Sequence, residues 1–182
     1  SAEHVRHFDF RSALSAKNLI RNYETLNDVQ LLNGRLRAGN GSETLLEVGC
    51  ATGEFFRYLQ LKWPKVAYCG TDISQGALER ARGKYPEARF LASEPSDVDL
   101  VNVLGLHQKP ELLYSKDVIH HQTDPFGFMQ RLIDTVKHTL VVRLRTRDTG
   151  ATVFDPELSC QHHYGGWMPY IVMNIDEVVE RV

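Results

Sequence analysis

A glycine turn with acids on both sides, "EVGCATGE" at residues 47–54, is the first stretch of the sequence that could bind a ligand. The branched apolar residues before it predict a buried strand that ends at the turn. A dinucleotide-binding turn would have glycines in place of Ala51 and Glu54, and a glutamate there repels a pyrophosphate. The Gly-Lys-Ser/Thr ending of a P-loop is also missing. Glu47 and Glu54 therefore favour a ligand with cationic groups and no phosphate.

A second candidate is Asp72, which ends the next strand-like segment 23 residues after Gly49. At about this spacing an acid reaches the diol of a ribose in nucleotide-binding folds. A ribose, a purine, an ammonium and a positive sulfonium together describe S-adenosylmethionine. Two simpler interpretations remain open: Asp72 caps the following helix, or the glycines serve the geometry of the turn alone.

Two adjacent histidines, His120 and His121, follow the apolar segment "ELLYSKDVI". An imidazole is the side chain whose unperturbed pKa suits proton removal near neutrality, so the pair could deprotonate a hydroxyl or an ammonium. We predict that His121 is this base or orients the acceptor, and that His120, nearer the strand, packs in the core. In the alternative interpretation, both histidines shape the pocket and bond the loop at Asp124.

The segment "CQHHYGGWMPY" at residues 160–170 combines histidines, aromatic residues and glycines. Its cysteine and histidines match no zinc-binding spacing and a fourth ligand is not evident, so no metal site is predicted. Its position after the last strand predicts a substrate-binding wall or lid. The N-terminal helix, with Phe10 and Tyr23, is the other candidate lid.

Three arginines, Arg143, Arg145 and Arg147, alternate along "TLVVRLRT" and would point to one face of a strand. Arginines on an inner face need anionic partners. They either anchor a phosphate or carboxylate of a substrate, or pair with acids of a neighbouring helix or of a segment absent from this chain. The sequence leaves both interpretations open.

Strands and helices must position these residues, and from residue 43 they alternate along the chain. The strand segments are apolar, which is typical of a parallel sheet that is buried on both faces. Such a sheet binds ligands at the carboxyl ends of its strands, near the topological switch point, so the candidate residues are expected to meet there. The predicted strands are "TLLEVGC", "VAYCGTDI", "ARFLAS", "ELLYSKDVI" and "TLVVRLRT"; the predicted helices follow from Gly53, Ser74, Val98 and Asp124, with a last one near Asn174.

Composition limits the partners. The chain has 182 residues, a formal net charge of −2 and 42% hydrophobic residues, which is ordinary for a globular domain. Since a phosphate-backbone binder would usually be basic, no nucleic-acid partner is predicted. Three widely spaced cysteines, Cys50, Cys69 and Cys160, indicate reduced thiols and a cytoplasmic setting. The first residues have no signal-like apolar segment and no long apolar run occurs, so neither export nor membrane insertion is predicted.

Three motifs together resemble one family. "LLEVGCATGEF" is similar to motif I of the class I S-adenosylmethionine-dependent methyltransferases, and "YCGTDIS" is similar to their second motif. "ELLYSKDVIHHQTDP" resembles the strand-four motif that ends in paired histidines in many small-molecule members. The resemblance covers roughly Leu45 to Leu144, with the motifs in the family's order, and is specific as a set. It implies the doubly wound, mostly parallel, Rossmann-like α/β sheet of this family.

The resemblance also assigns cofactor-binding residues. It implies that Glu47 supports the turn and the ammonium end of the cofactor, that Asp72 binds the ribose hydroxyls and that Ser115 lies under the methionine portion. The other implied contacts are backbone contacts from Gly49, Cys50, Ala51 and Gly53, adenine packing by Ile73, and an adenine contact by Ser93 or Glu94. The chain departs from the family pattern at Ala51, usually a glycine, at Ser93–Glu94, usually with an Asp, and at Lys116, often an Asn.

The resemblance implies a methyltransferase that moves the methyl group of S-adenosyl-L-methionine to an O or N atom of a small-molecule acceptor. S-adenosyl-L-homocysteine would be the product, and the arginines allow an anionic acceptor. The alternative is a cofactor-binding module without catalysis, part of a larger synthase or regulatory protein. A nicotinamide dehydrogenase is disfavoured because of Glu54.

The pattern along the chain predicts two regions. Residues 1–42 are expected to form an N-terminal helical cap or lid, and residues 43–182 the cofactor-binding domain. Because the chain stops inside the last helix, the family's sheet is expected to lack or shorten its last two strands. A bare strand edge invites unwanted pairing, which predicts a homodimer or a covering domain at that edge.

Overall fold

The computed structural model describes residues 16–163 and 165–181. Its helices are α1 (Ala16–Glu24), α2 (Asn27–Ala38), α3 (Glu54–Lys62), α4 (Gln75–Lys84), α5 (Leu100–Val103), α6 (Pro125–Thr135) and α7 (Ile175–Glu180), with a 3-10 turn at Ile119–His121. Its strands are β1 (Thr44–Val48), β2 (Ala67–Asp72), β3 (Arg89–Ala92), β4 (Leu112–Lys116), β5 (Thr139–Arg143), β6 (Thr146–Arg147), β7 (Cys160–His163), β8 (Gly166–Pro169) and β9 (Met173–Asn174). None of the helices in these residues combines the length and the apolar character needed to cross a membrane.

Strands β1 to β5 form one parallel sheet in the order β3-β2-β1-β4-β5. The predicted doubly wound α/β fold is therefore confirmed. The strand order reverses between β1 and β4, which places the topological switch point between these two strands. β1 is buried along almost its whole length, which explains why its sequence is a continuous apolar run instead of an alternating one.

Adjacent residues of the central strands pack against opposite layers of helices. Leu45 packs with Leu32 and Leu36 of α2, whereas Leu46 packs with Leu132 of α6 in a separate cluster. Leu32 and Leu36 are fully buried, so α2 forms part of the layer that covers one face of the sheet. The division of the chain at residue 42 remains a prediction, and Phe10 of the predicted lid lies outside the described residues.

The described part of the N-terminal region contains two helices, α1 and α2, where the sequence analysis predicted one N-terminal helix. Leu26 has an extended backbone and donates its N–H to the carbonyl of Tyr23, which separates α1 from α2. Leu26 packs against the buried cluster of α2 and β1. The break between the helices therefore allows the apolar side chain of Leu26 to pack against the core. This packing depends on distant residues, so helical periodicity does not predict it.

The fifth strand is shorter than predicted, and this changes the interpretation of the arginines. β5 ends at Arg143, and the carbonyl of Arg145 accepts a hydrogen bond from the N–H of Met173 at 3.0 Å. The chain then pairs with β9 through β6, which contains Arg147. The expectation that the three arginines share one face of one strand is wrong, because the backbone after Leu144 pairs with β9 instead of continuing β5.

Candidate active site

The carboxyl ends of the parallel strands open into a cavity of about 1260 Å³, at the place that the fold predicts for a ligand. The glycine turn after β1 and the end of β2 contribute to its wall, and so do the 3-10 turn and the β7–β8 hairpin. Ten sequence-predicted site residues line it: Glu47, Gly49, Cys50, Ala51, Asp72, Ile73, Ser93, Glu94, His120 and His121. Gly53 and Ser115 are not among the lining residues.

The glycine turn reverses the chain through three left-handed residues. Gly49, Ala51 and Gly53 have φ angles of 87°, 47° and 79°. At Gly49 a side chain would collide with Cγ2 of Val118, so this glycine is required by space as well as by φ. The N–H of Gly49 donates to the carbonyl of Thr71 at 2.8 Å, which fixes the turn to the end of β2.

Asp72 braces the turn against the start of α4. Its Oδ2 accepts the N–H of Ala51 and its Oδ1 accepts the N–H of Ser74, both at 2.9 Å. The N-cap of α4 is Ser74, whose hydroxyl accepts the N–H of Ala77. Each carboxylate oxygen can accept more than one hydrogen bond, so both oxygens of Asp72 retain capacity for ligand hydroxyls.

The residues predicted near the adenine lie on the β2 and β3 side of the cavity. Ile73 is 57% exposed, so its side chain is available for a ring to pack on. The Ser93 hydroxyl accepts a hydrogen bond from Thr71 at 2.7 Å, which holds it at the end of β3. Glu94 is exposed, and its N–H donates to Asp97.

Glu47 is a buried carboxyl group in the cavity wall. Burial raises its pKa to about 8, while a hydrogen bond donated by the Tyr68 hydroxyl and the charge of Lys116 lower it. The sequence analysis missed Tyr68 as the partner of Glu47. The available signal was Gly70, a glycine inside a buried strand: a Cβ atom at this position would lie 2.5 Å from the Tyr68 hydroxyl oxygen.

The second acid of the turn, Glu54, has an internal partner. Its carboxylate forms an ion pair of 3.0 Å with Lys84 of α4. The turn therefore offers a cationic ligand chiefly Glu47, with Asp72 beside it. Ser115 is fully buried below this region and donates its hydroxyl to the carbonyl of Val48 at 3.0 Å. Gly53 lies against Phe90, behind the turn.

His121 is held by Pro169, the last residue of β8. Its Nδ1 lies 2.9 Å from the carbonyl oxygen of Pro169. A carbonyl oxygen can only accept, so Nδ1 carries the proton in this contact and the lone pair of the neutral ring lies on Nε2. The arrangement of a backbone acceptor, an imidazole and a bare ring nitrogen is that of an oriented general base.

His120 differs from His121 in its hydrogen bonding. It is 2% exposed, and its Nδ1 has no hydrogen-bond partner within the described part of the chain. Burial lowers its pKa from 6.5 to about 4, with a further contribution from His121, whose ring centre is 4.1 Å away. Its ring also meets the edge of Tyr170. His120 is therefore a neutral wall residue near neutrality.

This burial predicts a pH dependence of stability. The pKa of His120 is lower in the folded chain than in the unfolded chain, so its contribution is complete above pH 6.5 and is lost as the pH falls toward about 4. Relative to a His120→Phe variant, the parent should lose about 1 kcal/mol of unfolding free energy over the first pH unit below 6.5. Urea unfolding at several pH values measures this difference, with His107→Gln as the control for removing an exposed histidine. A constant difference would contradict it.

The β7–β8 hairpin has a cavity face and an outer face, because side chains alternate along each strand. Gln161 and Met168 are paired across the hairpin and line the cavity together with His163. On the outer face, His162 packs against Trp167. The predicted substrate wall thus lies at the cavity. Within residues 16–163 and 165–181 no group of three His, Cys, Asp or Glu side chains is arranged to hold a metal ion.

Asp117, directly after β4, is a site residue that the sequence analysis missed. It lines the cavity with a φ of 57°, and its Oδ1 lies 3.7 Å from Nε of Arg143. The pair explains one of the three arginines. The position of Asp117 one residue past the strand end was the available signal. Tyr23 of α1, considered as part of a lid, also lines the cavity.

The fold defines a Rossmann-like α/β protein, and its cavity lies at the topological switch point, where such folds bind ligands. A family model described as a methyltransferase domain matches residues 46–139, which is more than half of the chain. The chain belongs to the class I S-adenosylmethionine-dependent methyltransferase family.

Two curated relatives match part of the chain. The trans-aconitate 2-methyltransferase of Enterobacter sp. (strain 638) is 27% identical over 104 residues, which are 57% of this chain and 39% of the relative. The malonyl-[acyl-carrier protein] O-methyltransferase of Acetivibrio thermocellus is 28% identical over 102 residues, which are 56% of this chain and 35% of the relative. The chain therefore spans less than two fifths of the length of either relative.

A solved structure has the same fold at low sequence identity. It is the O-methyltransferase from the trans-AT PKS multienzyme of Brevibacillus brevis in complex with S-adenosyl-L-homocysteine. The TM-score is 0.60 at 13% identity, over 76% of this chain and 44% of that chain. At this identity the similarity supports the fold alone.

Proposed function

We propose that this chain binds S-adenosyl-L-methionine at the strand ends and transfers its methyl group to an O or N atom of a small-molecule acceptor. The observation that carries the proposal is that His121 lines the same cavity as the glycine turn and Asp72. The family of the chain supports it, and so do the names of the two relatives, which specify methyl transfer to trans-aconitate and to malonyl-[acyl-carrier protein].

The residues of the cavity fit this cofactor. An ammonium group beside Glu47 would offset the burial that raises the pKa of its carboxyl group. Asp72 has remaining acceptor capacity for a pair of ribose hydroxyls. The exposed Ile73 offers an apolar surface to the adenine, with Ser93 and Glu94 beside it. The site therefore combines acids for the cationic end with a surface for the purine.

The chemistry requires alignment and one proton acceptor. When bound, the cofactor supplies a sulfonium methyl group, which an in-line displacement moves to the acceptor while the sulfur keeps the bonding electrons as a neutral thioether. The walls of the cavity align the two reactants and exclude water. If the acceptor is a hydroxyl or an ammonium, its proton passes to Nε2 of His121, and the carbonyl of Pro169 stabilises the resulting imidazolium through Nδ1–H.

Three further points belong to the same proposal. The acceptor is anionic, which agrees with the cationic side chains near the end of β5. The setting is cytoplasmic, which agrees with Cys50, Cys69 and Cys160 being free thiols. A second copy or a covering domain protects the outer edge of β5, the last strand of the described parallel sheet.

Calorimetry tests the cofactor assignment. S-adenosyl-L-homocysteine is expected to bind, and NAD is expected to show no comparable binding, because the acids at the turn disfavour a pyrophosphate. Tight binding of NAD alone would contradict the assignment. Turnover of S-adenosyl-L-methionine with a panel of acceptors then separates the enzyme from the non-catalytic module, which would bind the cofactor without producing S-adenosyl-L-homocysteine.

A further inference from the structure

We propose that Arg145 anchors an anionic group, a carboxylate or a phosphate, of the methyl acceptor. The inference rests on the proposed function and specifies its substrate and the residue that selects it. Of the three arginines that the sequence analysis treated as equivalent, Arg143, Arg145 and Arg147, it assigns the anchoring role to Arg145 alone.

The three arginines have different surroundings. Nε of Arg143 lies 3.7 Å from Asp117, and Nε of Arg147 donates to the carbonyl of Val172 at 3.2 Å. The Arg145 side chain lines the cavity, and its guanidinium forms no hydrogen bond or ion pair with any residue in the described ranges. Arg145 is thus the arginine of this row that is available to a ligand.

The backbone of Arg145 is fixed although its side chain is exposed. Its carbonyl accepts the N–H of Met173, and the Met173 side chain is fully buried. Arg145 is also close enough to His120 for its charge to contribute to the lowered pKa of that ring. The guanidinium therefore acts at the histidine end of the cavity from a rigid attachment.

The order of the strands separates charges across the cavity. From the β2 side to the β5 side, the cavity is lined first by the acids Asp72 and Glu47 and then by the basic residues Lys116 and Arg145, of which Arg145 lies two residues past β5. Acidic side chains therefore give way to basic ones at the switch point. A cationic cofactor is favoured over the acidic end and an anion over the basic end. An acceptor that bridges the histidines and the end of β5 would meet this positive charge.

The other cationic side chains that line the cavity have internal partners. Lys84 pairs with Glu54 at 3.0 Å, and Arg131 donates to the carbonyl of Pro95 at 2.9 Å. The acid nearest the basic end, Asp117, faces Arg143. The hairpin residues that line the cavity contribute no carboxylate, so an anion at Arg145 would meet no acid from this element. A guanidinium binds either a carboxylate or a phosphate with two parallel hydrogen bonds.

Matched probe pairs test the anchor. With the protein saturated by S-adenosyl-L-homocysteine, ligand-observed NMR measures the binding of succinate against succinamide and of glycerol 3-phosphate against glycerol. The parent is expected to bind at least one anion ~10-fold more tightly than its neutral counterpart, as one charge-assisted contact implies. Arg145→Gln should abolish the preference, Arg145→Lys should keep part of it, and the control Arg147→Gln should keep all of it. The preferred pair identifies a carboxylate or a phosphate.

The outcomes separate this inference from the proposed function. No anion preference in the parent, a preference that survives in Arg145→Gln, or an equal loss in Arg147→Gln would overturn the anchor. Binding of S-adenosyl-L-homocysteine is measured on each variant beforehand. Its absence in the parent would contradict the proposed function, whereas its presence without an anion preference would contradict the anchor alone.

Discussion

Replacing His121 with alanine is expected to lower the methyl-transfer rate by roughly 10²–10⁴, the usual contribution of a general base. The reason is that the contact with Pro169 leaves Nε2 as the proton acceptor in the cavity. Affinity for S-adenosyl-L-homocysteine should stay nearly unchanged, because the proposed cofactor contacts come from Glu47, Asp72 and the glycine turn. Single-turnover rates and calorimetry on the same preparations measure the two quantities.

The pH profile and the neighbouring histidine provide the controls. In the parent, the rate should fall toward acid pH because a general base must be unprotonated to act, and the His121→Ala variant should lose that limb. His120→Ala should reduce the rate less, since a buried ring with a pKa of about 4 is a poor base for this reaction near neutrality. An equal, small effect from both changes would mean that the pair only shapes the pocket. Loss of cofactor binding in both would place them on the cofactor side.

The sequence predicted the parts of the site that depend on local spacing. The glycine turn, Asp72 and the histidines each follow an apolar strand within a few residues, and parallel strands bring such positions to one edge. The strand order then places Glu47 and Asp72 on neighbouring strands, with residue 47 opposite residue 70. No information on long-range contacts was needed, because a parallel sheet places the carboxyl ends of all its strands at one edge.

What the sequence did not predict depends on contacts between distant segments. Pro169 orients His121 across 48 positions of the chain, and Met173 draws the backbone of Arg145 away from β5. Neither partner carries a recognisable motif, because each uses only a backbone group: Pro169 at the end of β8 uses its carbonyl and Met173 in β9 uses its N–H. The alternating arginines were assigned to one strand for the same reason. Sequence periodicity predicts a strand, but it does not show that a distant segment will pair with the backbone and end that strand.

Replacing Asp72 with alanine is expected to weaken binding of S-adenosyl-L-homocysteine by ~100-fold or more. Two ribose hydroxyls that donate to a carboxylate contribute about 1.5–3 kcal/mol each, and about 1.4 kcal/mol corresponds to a factor of ten. The structure adds that the same carboxylate accepts the N–H groups of Ala51 and Ser74, so its loss also loosens the turn. Calorimetry on the folded variant measures the change in affinity.

A Ser74 variant distinguishes the helix-capping interpretation of Asp72 from the ribose-binding interpretation. Since the Ser74 hydroxyl accepts the N–H of Ala77, Ser74→Ala removes the cap of α4 and should lower the free energy of unfolding by about 0.5–2 kcal/mol with little loss of cofactor affinity. Asp72→Ala should show the opposite balance, with the affinity falling by far more than the stability. If Asp72→Ala lowered only the stability, in proportion to Ser74→Ala, the carboxylate would serve the turn and the helix and would not bind the ribose.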